Sequence, residues 1–227
     1  MCRNKMHIYI AVLCLVAVSA LIVGCESSAA KAPASSAKKS GPYKLDDEGF
    51  ITNWLIVGPF PNPGEDPDHK GFDTDYLKGY GGEENYVPAN GMQIAKDDGK
   101  KVKWAPYKST DGSLINFFSV EHLGLGADLT DNILTYSACW LECENDTNVQ
   151  IRVGSDDGYK LWVDHKLIGN QHVYRPSEQD QESYDIKLSK GMHLVLIKVD
   201  QGSGQFEFMM RVVTPDGSKA PGIKVWN

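Results

Sequence analysis

Apolar and polar residues alternate through most of the second half of the chain. Val149, Ile151 and Val153 alternate with polar neighbours, as do Leu161 and Val163 after the turn Gly154-Ser155-Asp156-Asp157-Gly158, and Phe206, Phe208, Met210 and Val212 later. Period two belongs to a strand with one buried and one wet face. The runs predict strands over 132–143, 148–155, 159–164, 166–169, 183–188, 192–200 and 205–213, each β-branched or aromatic and bounded by turn residues. Earlier, Trp54 to Val57 predicts a buried strand that leaves into the proline-stiffened stretch from Gly58 to Gly64. Val102 to Trp104 and Leu114 to Val120 add two more candidates, with Asp111-Gly112 as the turn between them. No segment sustains helical periodicity, so the fold class is all-β, an antiparallel sandwich.

Hairpin parity then places the loops. Consecutive antiparallel strands reverse direction, so alternate turns fall at one end of a sandwich. Turns at 144–147, 164–166 and 189–191 share one end; loops at 121–131, 156–158, 170–182 and 201–204 share the other. The second group is longer and carries Asp156, Asp157, His172, Arg175, Glu178, Asp180 and Gln201, which makes it the candidate binding edge. The turn-rich stretch up to Gly91 is acidic, but Phe72, Tyr76, Tyr80 and Tyr86 predict that it packs. Within it, Asp73-Thr74-Asp75 has the alternation that brings two carboxylates to one cation, or simply an exposed acidic loop.

The N-terminus is of another kind. Arg3 and Lys5 precede an apolar run from Ile8 to Val23, short for a bilayer span, and Leu21-Ile22-Val23-Gly24-Cys25 follows. The latter resembles the bacterial lipoprotein signal. It implies a signal peptide over 1–24 and acylation of Cys25, palmitate-type chains anchoring firmly because each buried methylene contributes about 0.8 kcal/mol. Glu26 after the cysteine, by resemblance to the sorting pattern, points to the outer membrane rather than retention at the inner one. Residues 25–49 are rich in Ser, Ala, Lys, Pro and Gly and predict a lipidated flexible tether, with the fold beginning near Phe50.

Formal charge is −7, and about −9 once Arg3 and Lys5 leave with the leader, which argues against nucleic acid as a partner. Cys139 and Cys143, four apart on one strand, are too distant for a disulfide and read as buried small hydrophobes. No His-Glu-x-x-His or Gly-x-Ser-x-Gly occurs, and Gly124-Leu125-Gly126 lacks the third glycine and the helix of a dinucleotide site. The reading is therefore not an enzyme.

The segment Val153-Gly154-Ser155-Asp156-Asp157-Gly158-Tyr159-Lys160-Leu161-Trp162-Val163-Asp164, with Ile186-Lys187-Leu188-Ser189-Lys190-Gly191-Met192-His193 after it, resembles the second half of PA14-type and related galactose-binding-like modules. Trp54 to Phe60 and Gly71 to Tyr76 resemble their opening part, and His165 stands where the pattern commonly has Gly. The resemblance implies a single jelly-roll-like sandwich over 50–227 that binds carbohydrate or serves adhesion. In lectin members of the family the paired aspartates, joined by a cis peptide, hold calcium, which grips sugar hydroxyls. In other members the same Asp-Asp-Gly is a plain turn.

The expected function is a membrane-anchored lipoprotein of the bacterial cell envelope with a glycan-binding sandwich. Calcium is its expected cofactor, at Asp156 and Asp157. Tyr159, Arg175, Asp180 and Gln201 are the expected ligand contacts, with Tyr174 a second candidate stacking face. Expected partners are membrane lipid through Cys25, a polysaccharide and an envelope protein. The alternative is a non-catalytic structural or protein-interaction lipoprotein that needs neither calcium nor sugar.

Overall fold

The computed structural model describes residues 38–65, 68–126 and 130–227. The signal segment, Cys25 and the tether up to residue 37 lie outside the described residues.

Strands β1 (Tyr43–Lys44), β2 (Asn53–Pro61), β3 (Gln93–Ala95), β4 (Lys101–Lys103), β5 (Ala105–Lys108) and β6 (Ile115–Asn116) come first. They are followed by β7 (Ile133–Cys143), β8 (Thr147–Asp156), β9 (Tyr159–Val163) and β10 (Lys166–Gln171). Last come β11 (Glu182–Leu188), β12 (Gly191–Gln201), β13 (Glu207–Val213) and β14 (Ile223–Trp226). The larger sheet runs β1-β14-β7-β12-β9-β10, with β2 paired to both β7 and β5; the smaller runs β11-β8-β13-β6, and β3-β4 is a separate hairpin. All pairings are antiparallel, and the two sheets face each other as a β-sandwich.

Strict period two builds two cores from the same strands. Cys139, Leu141, Val195, Ile197, Leu161 and Val163 point inward against Val149, Ile151, Val153, Phe208, Met210 and Val212 of the smaller sheet. Their neighbours Leu134, Tyr136, Ala138, Trp140, Leu194 and Leu196 point outward, beneath Leu77, Tyr86, Ile94 and Trp104. Burying each such large side chain stabilises by about 1.5–3 kcal/mol. One wet face per strand is thus corrected for β7 and β12: the segment from 62 to 104 covers the outer face. Phe72, Tyr76, Tyr80 and Tyr86 do pack, with Phe60 stacked on Tyr76 at 5.0 Å and Tyr86 on Trp104 at 5.9 Å.

Two boundaries differ from composition and pattern. Residues 40–49 read as tether, yet β1 pairs with β14, Ser40 and Asn227 exchange backbone hydrogen bonds, and Leu45 is buried. One apolar residue in a polar stretch carries no periodic signal, so only tertiary pairing reveals it. β2 also continues past Val57 through Phe60, with a register shift between Val57 and Phe60 that accommodates Pro59, which has no amide proton to give the ladder. Leu114 to Val120 divides into the short β6 and a 3-10 turn, Phe117–Ser119, capped by Asn116. Cys139 and Cys143 are buried free thiols, and burial pushes both up.

At the end bearing the short turns, Lys190 N donates to Asp146 Oδ1 at 2.8 Å. His193, 7% exposed, sets Nδ1 2.6 Å from Asp164 Oδ2 and Nε2 2.8 Å from the Ser189 carbonyl. Burial pulls its pKa down, but those two acceptors outweigh it and hold it above the usual 6.5. A raised folded-state pKa adds stability that is fully present below the unfolded value and is lost as pH rises through the folded one. Thermal unfolding across pH 6 to 8.5 is therefore expected to show wild type losing ground to His193→Gln as the imidazolium deprotonates. Parallel profiles would contradict it.

Candidate functional site

The turn between β8 and β9 carries the chain from the smaller sheet to the larger, so its side chains sit where the two sheets meet. Asp156, the last residue of β8, pairs with Glu207 of β13. Asp157 N donates to Asp200 O and Asp200 N to Gly158 O, each at 3.0 Å, which ties the turn to the end of β12. The peptide between Asp156 and Asp157 is cis.

The two carboxylates have different surroundings. Asp157 Oδ1 accepts from Arg175 N at 3.1 Å and Oδ2 from Gly202 N at 2.8 Å, so one side chain fastens two other loops. Ser155 Oγ donates to the Asp157 carbonyl at 2.7 Å. Asp156 is 6% exposed, and its Oδ1 has no hydrogen-bond partner among the described residues. Burial first, then the charges of Asp157 and Glu207, push its carboxyl up to about 7.

The loops around this pair are close-packed. A Cβ at Gly154 would stand 1.8 Å from the Glu178 carbonyl, so the strap over 172–181 lies directly on β8. Ser177 Oγ donates to Glu207 at 2.6 Å, and Tyr174, 54% exposed, sets its hydroxyl 3.1 Å from Ser203 Oγ. From the outer layer, Asn62 Nδ2 donates to Asp200 Oδ2 and to the Gln201 carbonyl, each at 3.3 Å. His69 meets Asn132 Oδ1 at 2.8 Å, and Asn132 N donates to Gly202 O at 2.8 Å. Asp200, 2% exposed, is pushed up to about 6 by burial, which the Asn62 hydrogen bond partly offsets.

No family model matches the chain and no curated protein matches it. Several solved structures are similar to it. The PA14 domain of the antifreeze protein MpAFP is 12% identical, with 84% of this chain and 96% of that one aligned at a TM-score of 0.44. The epithelial adhesin 9 A domain of Candida glabrata, in complex with Galb1-3GlcNAc, is 8% identical over 83% of this chain and 95% of that one, at 0.41. A β-glucosidase of Kluyveromyces marxianus is 14% identical over 78% of this chain, at 0.43, and there the chain spans 20% of the enzyme's length; in another structure of that enzyme it spans 14%. PA14 domains are among its structural neighbours.

A calcium ion takes roughly six to eight oxygens and accepts amide and main-chain carbonyls beside carboxylates. Among the described residues no group of three or more His, Cys, Asp or Glu side chains is placed to hold a metal. A buried carboxylate oxygen without a partner, next to a second carboxylate, nonetheless suits a hard cation, with amide or main-chain oxygens completing the shell.

Hairpin parity gathers the right loops: 156–158, the strap and the 201–204 turn meet at Asp157. The individual ligand residues fare differently. Tyr159 is fully buried, its hydroxyl between Glu182 at 3.1 Å and Tyr184 at 2.7 Å, so it offers no stacking face. Arg175 forks onto Glu182 at 2.6 and 2.7 Å, and its backbone amide, not its guanidinium, reaches the site. Asp180 binds Arg152 and Arg211; burial raises its carboxyl, but the two guanidiniums outweigh it and hold it low. Gln201 is fully buried, with neither amide atom partnered among the described residues. The acidic alternation at 73–75 brings no shared site, since Asp73 pairs with Lys160 at 2.6 Å while Asp75 accepts from Leu77 N at 2.9 Å. Asn62, Asp200, Ser203 and Glu207 escape sequence reading because their meeting depends on which strands adjoin.

Proposed function

We propose that the chain is a lipid-anchored, non-catalytic protein of the bacterial envelope whose sandwich binds a glycan at the loop end. Asp156 and Asp157 would hold calcium, which would supply coordination for sugar hydroxyls, and exposed Tyr174 gives the ring a face to stack on. The observation that carries this reading is the buried, unpartnered Oδ1 of Asp156 beside Asp157. Arg175 N and Gly202 N hold Asp157 in place while Ser203 and Tyr174 line the rim.

A second reading has its own observation. Both oxygens of Asp157 already accept backbone amides, which suffices for a purely structural turn on a protein-interaction module. The two part on one measurement: a glycan array read with calcium and with chelator. Retention of a polysaccharide that chelator abolishes is expected; no retention on any glycan, with a stoichiometric protein partner captured instead, would favour the second reading. For the anchor, Cys25→Ala is expected to move the protein from the membrane to the soluble fraction and to end palmitate labelling. Unchanged membrane association would overturn lipidation as the anchor.

A further inference from the structure

A cleft of about 520 Å³ opens in the outer layer, between the turn over 74–80 and the tip of the β3–β4 hairpin. That is the size of a small-ligand site, and hydrogen bonds hold both walls in place before anything binds. On the turn side, the Thr74 carbonyl accepts from Lys198 Nζ at 2.8 Å, and Asp75 accepts from Leu77 N at 2.9 Å and from Glu83 N at 3.3 Å. On the hairpin side, Trp104 N donates to the Met92 carbonyl at 2.9 Å and Lys96 N to the Lys100 carbonyl at 2.8 Å. Tyr80 Oη accepts from Ala95 N at 2.9 Å, which joins one wall to the other. Burial first, then the Asp97 charge, raise the Tyr76 phenol, so the hairpin tip stands beside that ring.

The lining has the chemistry of a sugar site. Tyr76 and Tyr80, both half-buried, supply ring surface. The side chains of Lys78, Lys96 and Asp97 make no hydrogen bond or ion pair among the described residues and remain available as donors and acceptor. With Asp75, two ammoniums and two carboxylates line the cleft, so its charges cancel and favour a ligand rich in hydroxyls over an anion or a cation. Strand register places it. Phe60, on which Tyr76 stacks at 5.0 Å, lies opposite Leu134 of β7, and Leu134 lies opposite Asp200 of β12. Two strand spacings put Phe60 roughly 10 Å from Asp200. Tyr76 Oη also donates to the Pro61 carbonyl, next to the Asn62 that binds Asp200, and Asp200 is tied to the aspartate turn. Cleft and aspartate pair therefore share one end of the sandwich.

We propose that this cleft is a second carbohydrate subsite, in which an uncharged pyranose unit lies on the Tyr76 and Tyr80 rings and shares its hydroxyls among Lys78, Lys96 and Asp97, while another unit of the same polysaccharide occupies the aspartate pair. The proposal rests on the glycan-binding reading. The cleft itself uses no metal, because ring faces, ammoniums and a carboxylate make all its contacts. A polysaccharide held at two points binds more tightly than one held at a single point, since the second contact forms at high effective concentration. Gly79 offers a way to fill the cleft alone: it lies in the wall outside the left-handed region, and a Cβ there would meet nothing within 4 Å.

The test titrates the isotope-labelled full chain with the soluble hexasaccharides of cellulose, xylan, laminarin and galactan and with the matching disaccharides, in calcium and in chelator, and follows the backbone amides by NMR. A hexasaccharide is expected to shift the amides of Gly79, Lys96 and Asp97 in calcium and in chelator alike, and those of Gly158 and Gly202 in calcium alone. In calcium its affinity is expected to exceed the disaccharide's about tenfold or more. Gly79→Phe, and separately Lys78→Ala with Asp97→Ala, are expected to bring the hexasaccharide down to the disaccharide's affinity. Shifts confined to Gly158 and Gly202, or a gain that both variants keep, overturn the cleft and leave the glycan reading standing. Shifts at the cleft alone uphold it and remove the calcium site. No shift at either place with any of these sugars overturns both.

Discussion

Lys198→Met is expected to lower stability by about 3–5 kcal/mol, the cost of breaking a buried ion pair by removing one partner, and to move the thermal midpoint by about 10 °C. The Lys198 side chain is fully buried between β12 and the outer layer. Its ammonium donates at 2.8 Å to three acceptors, the carbonyls of Phe72 and Thr74 and Glu83 Oε1, so a single side chain pins a long segment without strands to the larger sheet. Glu83 also accepts from Tyr136 Oη at 2.6 Å. Burial pulls the lysine pKa down, and the charge and hydrogen bond of Glu83 oppose that pull. Methionine fills a similar volume, so the loss is electrostatic: Glu83 stays behind, 12% exposed and without its cation. Adding Glu83→Gln removes that stranded charge, and the double variant is expected to be more stable than Lys198→Met alone. Urea unfolding measures both, and a loss under about 1 kcal/mol for the single change would show that the outer layer holds by apolar burial without the clamp.

The same lysine marks where sequence reading stops. β8 and β13 are legible to within a residue or two because their apolar residues alternate with polar ones that stay near water. β7 and β12 are legible as strands, yet Lys198 and Asp200, in phase with the outward Leu194 and Leu196, look like a wet face and are both buried. Period two reports which side chains share a face; it does not report what later covers that face. The outer layer announces itself in aromatics at Phe72, Tyr76, Tyr80 and Tyr86, which say that the segment packs but not against what. The binding edge follows a similar division. Parity of hairpins brings the Asp156 turn, the strap and the 201–204 turn together correctly, since direction reversal is a property of chain order. Tyr159 offers no stacking face for a reason parity cannot supply: as the first residue of β9 it points into the sandwich, where Glu182 and Tyr184 meet its hydroxyl. Adjacent Asp156 and Asp157 look alike in sequence and differ only in what surrounds each carboxylate.

That difference predicts opposite outcomes for neighbouring substitutions. Asp157→Ala leaves the half-buried amide of Arg175 and the buried amide of Gly202 without their acceptor and frees the strap and the 201–204 turn, an expected loss of about 2–4 kcal/mol. Asp156→Asn removes a charge with no hydrogen-bond partner at Oδ1 and two negative neighbours, Asp157 and Glu207, and is expected to stabilise the cation-free protein by about 1–3 kcal/mol at pH 8. The sign follows from linkage. Asp156 titrates at about 7 in the folded state against 3.8 ordinarily, so the folded protein binds its proton more tightly and loses stability as pH rises from about 4 to about 7. The gain from Asp156→Asn is therefore nil near pH 4 and complete above pH 7. On the calcium reading, added calcium is expected to reverse the comparison, stabilising wild type by offsetting the charge that otherwise costs energy, more strongly as the competing proton leaves, and leaving Asp156→Asn unchanged. Thermal unfolding of wild type and both variants at pH 5 and pH 8, with calcium and with chelator, reads every arm. If Asp156→Asn destabilises as Asp157→Ala does, and calcium leaves the wild-type midpoint where chelator puts it, the aspartate pair is a structural turn and not a calcium site.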